Sequence, residues 1–129
     1  MSDASSPDEY PIAPRVFRQL LDGAGDGLFI IDPETGDLED ANRTVAEWLG
    51  YEPETLREMT IFDCQTTFAE PTEWRAFVDR VRNEDGVRIE NEIRTKDGST
   101  VPVEGTISVV AVDGGEHVVA IPRKLDPEA

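Results

Sequence analysis

Two runs in the C-terminal half alternate apolar and polar residues with a period of two, and they commit the chain to a sheet. Over 87–94, Val87, Ile89, Asn91 and Ile93 alternate with Arg88, Glu90, Glu92 and Arg94. Over 100–112, Val101, Val103, Gly105, Ile107 and Val109 alternate with mostly polar neighbours. Successive side chains of a strand point to opposite faces, so one face of each run needs cover and the other meets water. Lys-Asp-Gly-Ser between the runs and Asp-Gly-Gly at 113–115 are turn signals, and 116–125 reads as one more strand. Three strands in succession joined by tight turns make an antiparallel meander.

The cover comes from upstream. Residues 71–86 place Trp74, Phe77, Val78 and Val81 at i, i+3, i+4 and i+7, with Pro71 near the start and Gly86 at the end of the expected helix. Before it, Leu-Phe-Ile-Ile at 28–31 has the continuous apolar character of a strand covered on both faces, and the turn at 33–36 leads to a second strand at 38–41. Asn42 is an N-cap for a short helix that brings Val45, Trp48 and Leu49 to one side before Gly50 closes it. Pro53 opens another short helix, and a brief apolar stretch occupies 60–64. At the start, Val16, Phe17, Leu20 and Leu21 form one face of a short amphipathic helix, after a proline-punctuated lead-in over 1–14. The expected class is α+β, a five-stranded antiparallel sheet with the helices between its second and third strands packed on one face.

Charge narrows the function. Acidic residues number 28 against 12 basic, a net charge of −16, and only Lys96 and Lys124 are lysines. Such a surface repels phosphate backbones, which argues against nucleic acid as a partner. The acids are interleaved with apolar residues, as in a folded domain with a solvated anionic surface, and the balance resembles that of proteins from salt-accumulating halophiles. No apolar run approaches the roughly 20 residues of a membrane-spanning helix, and the N-terminus lacks the basic-then-apolar order of a signal peptide, so a cytoplasmic location without membrane contact is expected. Cys64 is the one cysteine and His117 the one histidine, which leaves no internal disulfide and no Cys/His cluster for a metal. A single histidine within a strand pattern provides no Ser/His/Asp set, and no glycine-rich phosphate loop is present, so an enzyme is not expected.

Three pieces carry a family resemblance: Asp-Pro-Glu-Thr-Gly at 32–36, Asn42 opening the helix that ends in Leu49-Gly50-Tyr51, and Lys96-Asp97-Gly98 in the later turn. In this order and spacing they resemble a PAS domain over about residues 15–125. The resemblance implies a sensory or dimerisation module that passes a rearrangement to an attached kinase, transducer or other output region, with 126–129 as the tail toward that region. At the C-terminus Ile-Pro-Arg-Lys-Leu-Asp departs from the Asp-Ile-Thr with which the family often continues.

The resemblance also implies a pocket that relatives fill with haem, flavin, a small molecule or nothing. His117 is outside the 71–84 helix where a haem ligand is expected, and Asp63-Cys64-Gln65-Thr66 does not match the flavin-contacting Asn-Cys-Arg-Phe of light-sensing relatives. Neither cofactor is expected. Asn91 interrupts an apolar strand face, and a buried amide must find partners, either nearby backbone or water or a bound ligand. Trp74 and Phe77 are residues more often found as plain core than as pocket wall, yet opposite a strand carrying Asn91 they would make a mostly apolar cavity with one polar anchor; Phe62, Val45, Leu49 and Val119 are further candidate walls. A small aromatic or amphipathic ligand is the expected occupant, with a ligand-free homodimerisation module as the rival and a flavin-bound redox or light sensor as the second alternative. A homodimer through Phe17, Leu20, Leu21 and the outer sheet face is a further expectation.

Overall fold

The computed structural model describes residue 20, residues 22–112 and residues 114–125. The lead-in at 1–14, the expected dimer contacts Phe17 and Leu21, and the tail at 126–129 lie outside the described residues; Leu20 is exposed.

Elements follow in the order β1 (Phe29–Ile31), β2 (Leu38–Ala41), α1 (Arg43–Leu49), α2 (Pro53–Leu56), α3 (Ile61–Cys64), α4 (Pro71–Glu84), β3 (Val87–Arg94), β4 (Thr100–Val112) and β5 (Gly115–Lys124). The strands form one sheet in the order β2-β1-β5-β4-β3, each neighbour antiparallel. The expected α+β class stands, and the meander β3-β4-β5 forms as its turns indicate. β5 is central because it returns beside β1, a pairing that joins the first hairpin to the meander.

Local chemistry sets the element ends. Asn42 accepts from the Val45 N–H and Gly50 closes α1 in the left-handed region at φ 84°. Thr60 and Asp63 form a reciprocal capping box on α3, so a four-residue helix can hold its first turn. The end of α4 differs from expectation by one residue: Asp85 itself takes the left-handed position, at φ 57°, and Gly86 follows at φ 105°. Asp tolerates that conformation better than most side chains. Between β1 and β2 the register shifts, leaving Glu39 as an extra residue opposite the Ile30/Ile31 step.

The core lies between the helices and one sheet face. Trp74, Val78 and Val81 of α4 are buried, with Ile31, Leu38, Leu49, Leu56 and Val118. Each such aliphatic side chain contributes about 1.5–3 kcal/mol through burial. On the outer face Ile30, Val119 and Ile121 are half-buried among charged neighbours, so β1 is less fully covered than its apolar sequence indicates.

Candidate functional site

A cavity of about 50 Å³ opens between β3, β4 and β5 and the α4 face above them. Its floor is shallow where β4 and β5 carry Gly105 and Ala120, and its roof is aromatic. Phe68, in the connection between α3 and α4, meets Trp74 edge-on with ring centroids 5.5 Å apart and Phe77 at 4.9 Å. Edge-to-face rings attract beyond their buried area, which favours the Phe68–Trp74 contact. The Trp74 indole N–H donates to the Asp32 carbonyl at 3.0 Å, which ties this roof to the β1–β2 turn.

Two amides reach the apolar space. Asn91 projects from β3, where the alternation of Val87, Ile89 and Ile93 turns it toward the helices. It is half-buried, and among the described residues its side chain has no hydrogen-bond partner. Gln65 is buried, and its side chain is engaged: Oε1 accepts from the Thr67 and Phe68 N–H groups, and Nε2 donates to the Phe68 carbonyl at 3.0 Å. Through these bonds, and through its bridge to Ile93, Gln65 holds the loop that carries Phe68 against the edge of β3. Sequence reasoning missed both Gln65 and Phe68. The loop from 65 to 70 has no periodicity to mark an inward side, and only the position of Gln65 directly after the apolar 60–64 stretch hinted at burial.

The expected walls divide. Asn91, Trp74 and Phe77 come together around the cavity; Val45, Leu49, Phe62 and Val119 do not line it. Val45 and Leu49 are fully packed core beneath α1, with Val45 against Gly27. Phe62 packs on Gly36, where a Cβ would come within 2.7 Å of its ring. Val119 lies on the opposite face, because the alternation of β5 turns Val118 and Ala120 inward.

The two residues considered for cofactor chemistry are elsewhere. His117 stands on the outer face with Nδ1 2.6 Å from Glu39 Oε1. Cys64 is buried in the core, and burial, aided by the Asp63 charge, pushes its thiol up to about 12, so it is neutral at physiological pH. No group of three metal-ligating side chains occurs among the described residues, and none of their helices is long and apolar enough to cross a membrane.

The size of the cavity decides what fits unaided. A volume of about 50 Å³ has room for water, and it is about a third of the roughly 150 Å³ of an apolar cavity that takes up benzene. An organic ligand therefore requires outward movement of the wall, and the half-buried Phe68 and Phe77 are the side chains with room to move.

Residues 25–121 match a family model described as PAS domain. Among solved structures, the PAS domain of an HTR-like protein from Haloarcula marismortui superimposes with a TM-score of 0.75 at 19% identity, covering 84% of this chain and 88% of that one. A domain of the sensory box sensor histidine kinase/response regulator from Geobacter sulfurreducens gives 0.67 at 24% identity over 84% and 91%. A light-oxygen-voltage domain studied with a flavin analogue gives 0.65 at 18% identity over 95% and 90%. At these identities the likeness is one of fold. No curated protein matches.

Proposed function

Because the chain belongs to the PAS domain family, we propose that it is a non-catalytic sensory module of a cytoplasmic signalling protein, whose core cavity receives a small, mainly apolar molecule with one polar group facing Asn91. The observation that carries this is the unpartnered Asn91 amide in an otherwise apolar, aromatic-roofed space. A polar group taken fully from water without a partner costs about 1–3 kcal/mol, the half-buried Asn91 amide bears a part of that, and a ligand that supplies the hydrogen bond recovers it. Occupancy spreads Phe68 and Phe77, and the displaced α4 relays the event to an attached kinase or transducer. A ligand shifts such a module only by its differential affinity for the two arrangements. On this reading a second copy packs against the outer sheet face at Ile30, Val119 and Ile121.

A ligand-free dimerisation module is the second reading, favoured by the small volume of the cavity. Mass spectra of protein purified in molar salt, recorded under native and denaturing conditions with an absorption spectrum, separate the two. A released small species, depleted in Asn91→Leu and in Gly105→Ala, supports sensing. The Gly105→Ala methyl would meet nothing closer than 3.5 Å, so it narrows the cavity without strain. Protein empty in all three forms, and dimeric by sedimentation, favours the second reading.

A further inference from the structure

The core cavity comes near the surface on one side. Of the residues around it only Phe68, Phe77, Ile89 and Asn91 are half-buried; all the others are buried. These four belong to three neighbouring pieces: Ile89 and Asn91 to β3, Phe77 to α4, and Phe68 to the loop between α3 and α4. β3 is the edge of the sheet and α4 packs chiefly on β4 beside it, so β3 and α4 part along that side of the cavity. Phe68 fills the gap, its ring centroid 4.9 Å from that of Phe77 and 5.5 Å from that of Trp74.

One side chain holds Phe68 in place. Its backbone N–H donates to Gln65 Oε1 and its carbonyl accepts from Gln65 Nε2, each at 3.0 Å, and Oε1 also takes the Thr67 N–H. Among the described residues no other group bonds the Phe68 backbone. The Gln65 backbone is bridged to Ile93 on β3, and beyond Phe68 the Ala69 N–H donates to Glu73 Oε1 at 2.7 Å. The loop is therefore pinned at both ends, while Phe68 between them is held by one amide. Thr66, Thr67 and Ala69 are exposed, so water reaches the groups that Gln65 would release.

We infer that the gap between α4 and β3 is the entrance of the cavity, with Phe68 as its door and Gln65 as its latch, and that it admits uncharged molecules. Opening there breaks the bonds of one side chain and leaves the sheet ladder and α4 intact. No residue lining the cavity carries a charge, so a carboxylate, phosphate or ammonium group passing Phe68 and Phe77 would be desolvated with no ion to meet it. Asn91, at the lip, offers both a donor and an acceptor to a neutral polar group. The inference rests on the reading of the cavity as a ligand site, and adds to it a route and a selection by charge.

Ala120 floors the cavity, so a thiol placed there reports what reaches the interior. Cys64 is the one native cysteine, and Cys64→Ala/Ala120→Cys protein therefore carries a single thiol. Its modification by three methanethiosulfonates of matched length, one neutral, one cationic and one anionic, is timed against the same reagents on an exposed Thr106→Cys. Gln65→Met removes the latch and keeps its volume, and the neutral reagent is expected to react about fivefold or more faster, the gain in open population from losing one net hydrogen bond. Phe68→Ala is expected to act in the same direction, and the charged reagents to lag the neutral one throughout. Asn42→Ala weakens the fold away from the loop and is expected to leave the neutral rate at that of the parent. Rates unchanged in both loop variants, or an equal rise with Asn42→Ala, would overturn the entrance; charged reagents that keep pace would overturn the selection by charge. Protein that releases no small species counts against sensing and leaves these rates where they are, because the reagents are supplied.

Discussion

Asn42 and Asn91 are the same side chain put to opposite uses. Asn42 is buried and satisfied: Oδ1 accepts from the Leu28 N–H at 3.0 Å and the Val45 N–H at 3.2 Å, while Nδ2 donates to the Asp26 carbonyl at 3.1 Å. It therefore caps α1 and fastens the chain entering β1 to the start of that helix. Asn42→Ala removes the cap and strands a buried Leu28 donor, so a loss of about 2–3 kcal/mol is expected from the denaturation midpoint at unchanged slope. Asn42→Asp retains both acceptor contacts but sets a buried carboxylate oxygen against the Asp26 carbonyl, so it is also expected to destabilise at neutral pH, less so where the carboxyl is protonated. A loss below about 0.5 kcal/mol for the alanine variant would show that water replaces the side chain. The capping role was legible in the sequence, since Asn precedes an apolar helical pattern closed by Gly50. Its second bond, to Leu28, was not, because it depends on a contact between residues distant in the chain.

At the scale of the element, the turn between β3 and β4 is ordered by one exposed carboxylate. Asp97 accepts from the Thr95 hydroxyl at 2.6 Å and from the Ser99 N–H and hydroxyl, and these bonds, that from Thr95 foremost, hold its carboxyl at about 2. A folded value depressed below the ordinary 3.8 stabilises the fold above that ordinary value, and the contribution is lost as pH falls through about 2. Asp97→Asn is thus expected to be less stable than the parent near neutrality, with the gap closing below about pH 4 and nearly gone by about pH 2. Thermal melts of both proteins across that range check it, and a gap independent of pH would assign the effect to shape instead of charge. The Asp32 turn is built alike: burial would raise its carboxyl, yet the Thr35 and Glu34 N–H groups outweigh burial and hold it below its usual value. The loop at 65–70 has no comparable signature, and its order comes from Gln65 reaching forward to Thr67 and Phe68.

For the whole molecule, a net charge of −16 sets the response to salt. Shortening the screening length from about 10 Å at 0.1 M to about 3 Å at 1 M weakens self-repulsion in the compact state more than in the expanded chain. The melting temperature is expected to rise steadily over that range, as calorimetry would register; a flat or falling curve would mean that ion pairs such as Arg82 with Glu116 and Asp79 outweigh the repulsion. Period-two runs, turn chemistry and caps determined the strands, the principal helices and the class of fold, because each rests on interactions within a few residues. The inward position of Asn91, Trp74 and Phe77 followed from the same periodicities. Tertiary structure alone decided that β5 lies beside β1, that Val119 faces outward while Ala120 floors the cavity, and that Val45, Leu49 and Phe62 pack away from it. It also decided that Phe68 closes the aromatic roof. These depend on which surfaces a sheet brings together across many residues of sequence, and no local pattern encodes that distance.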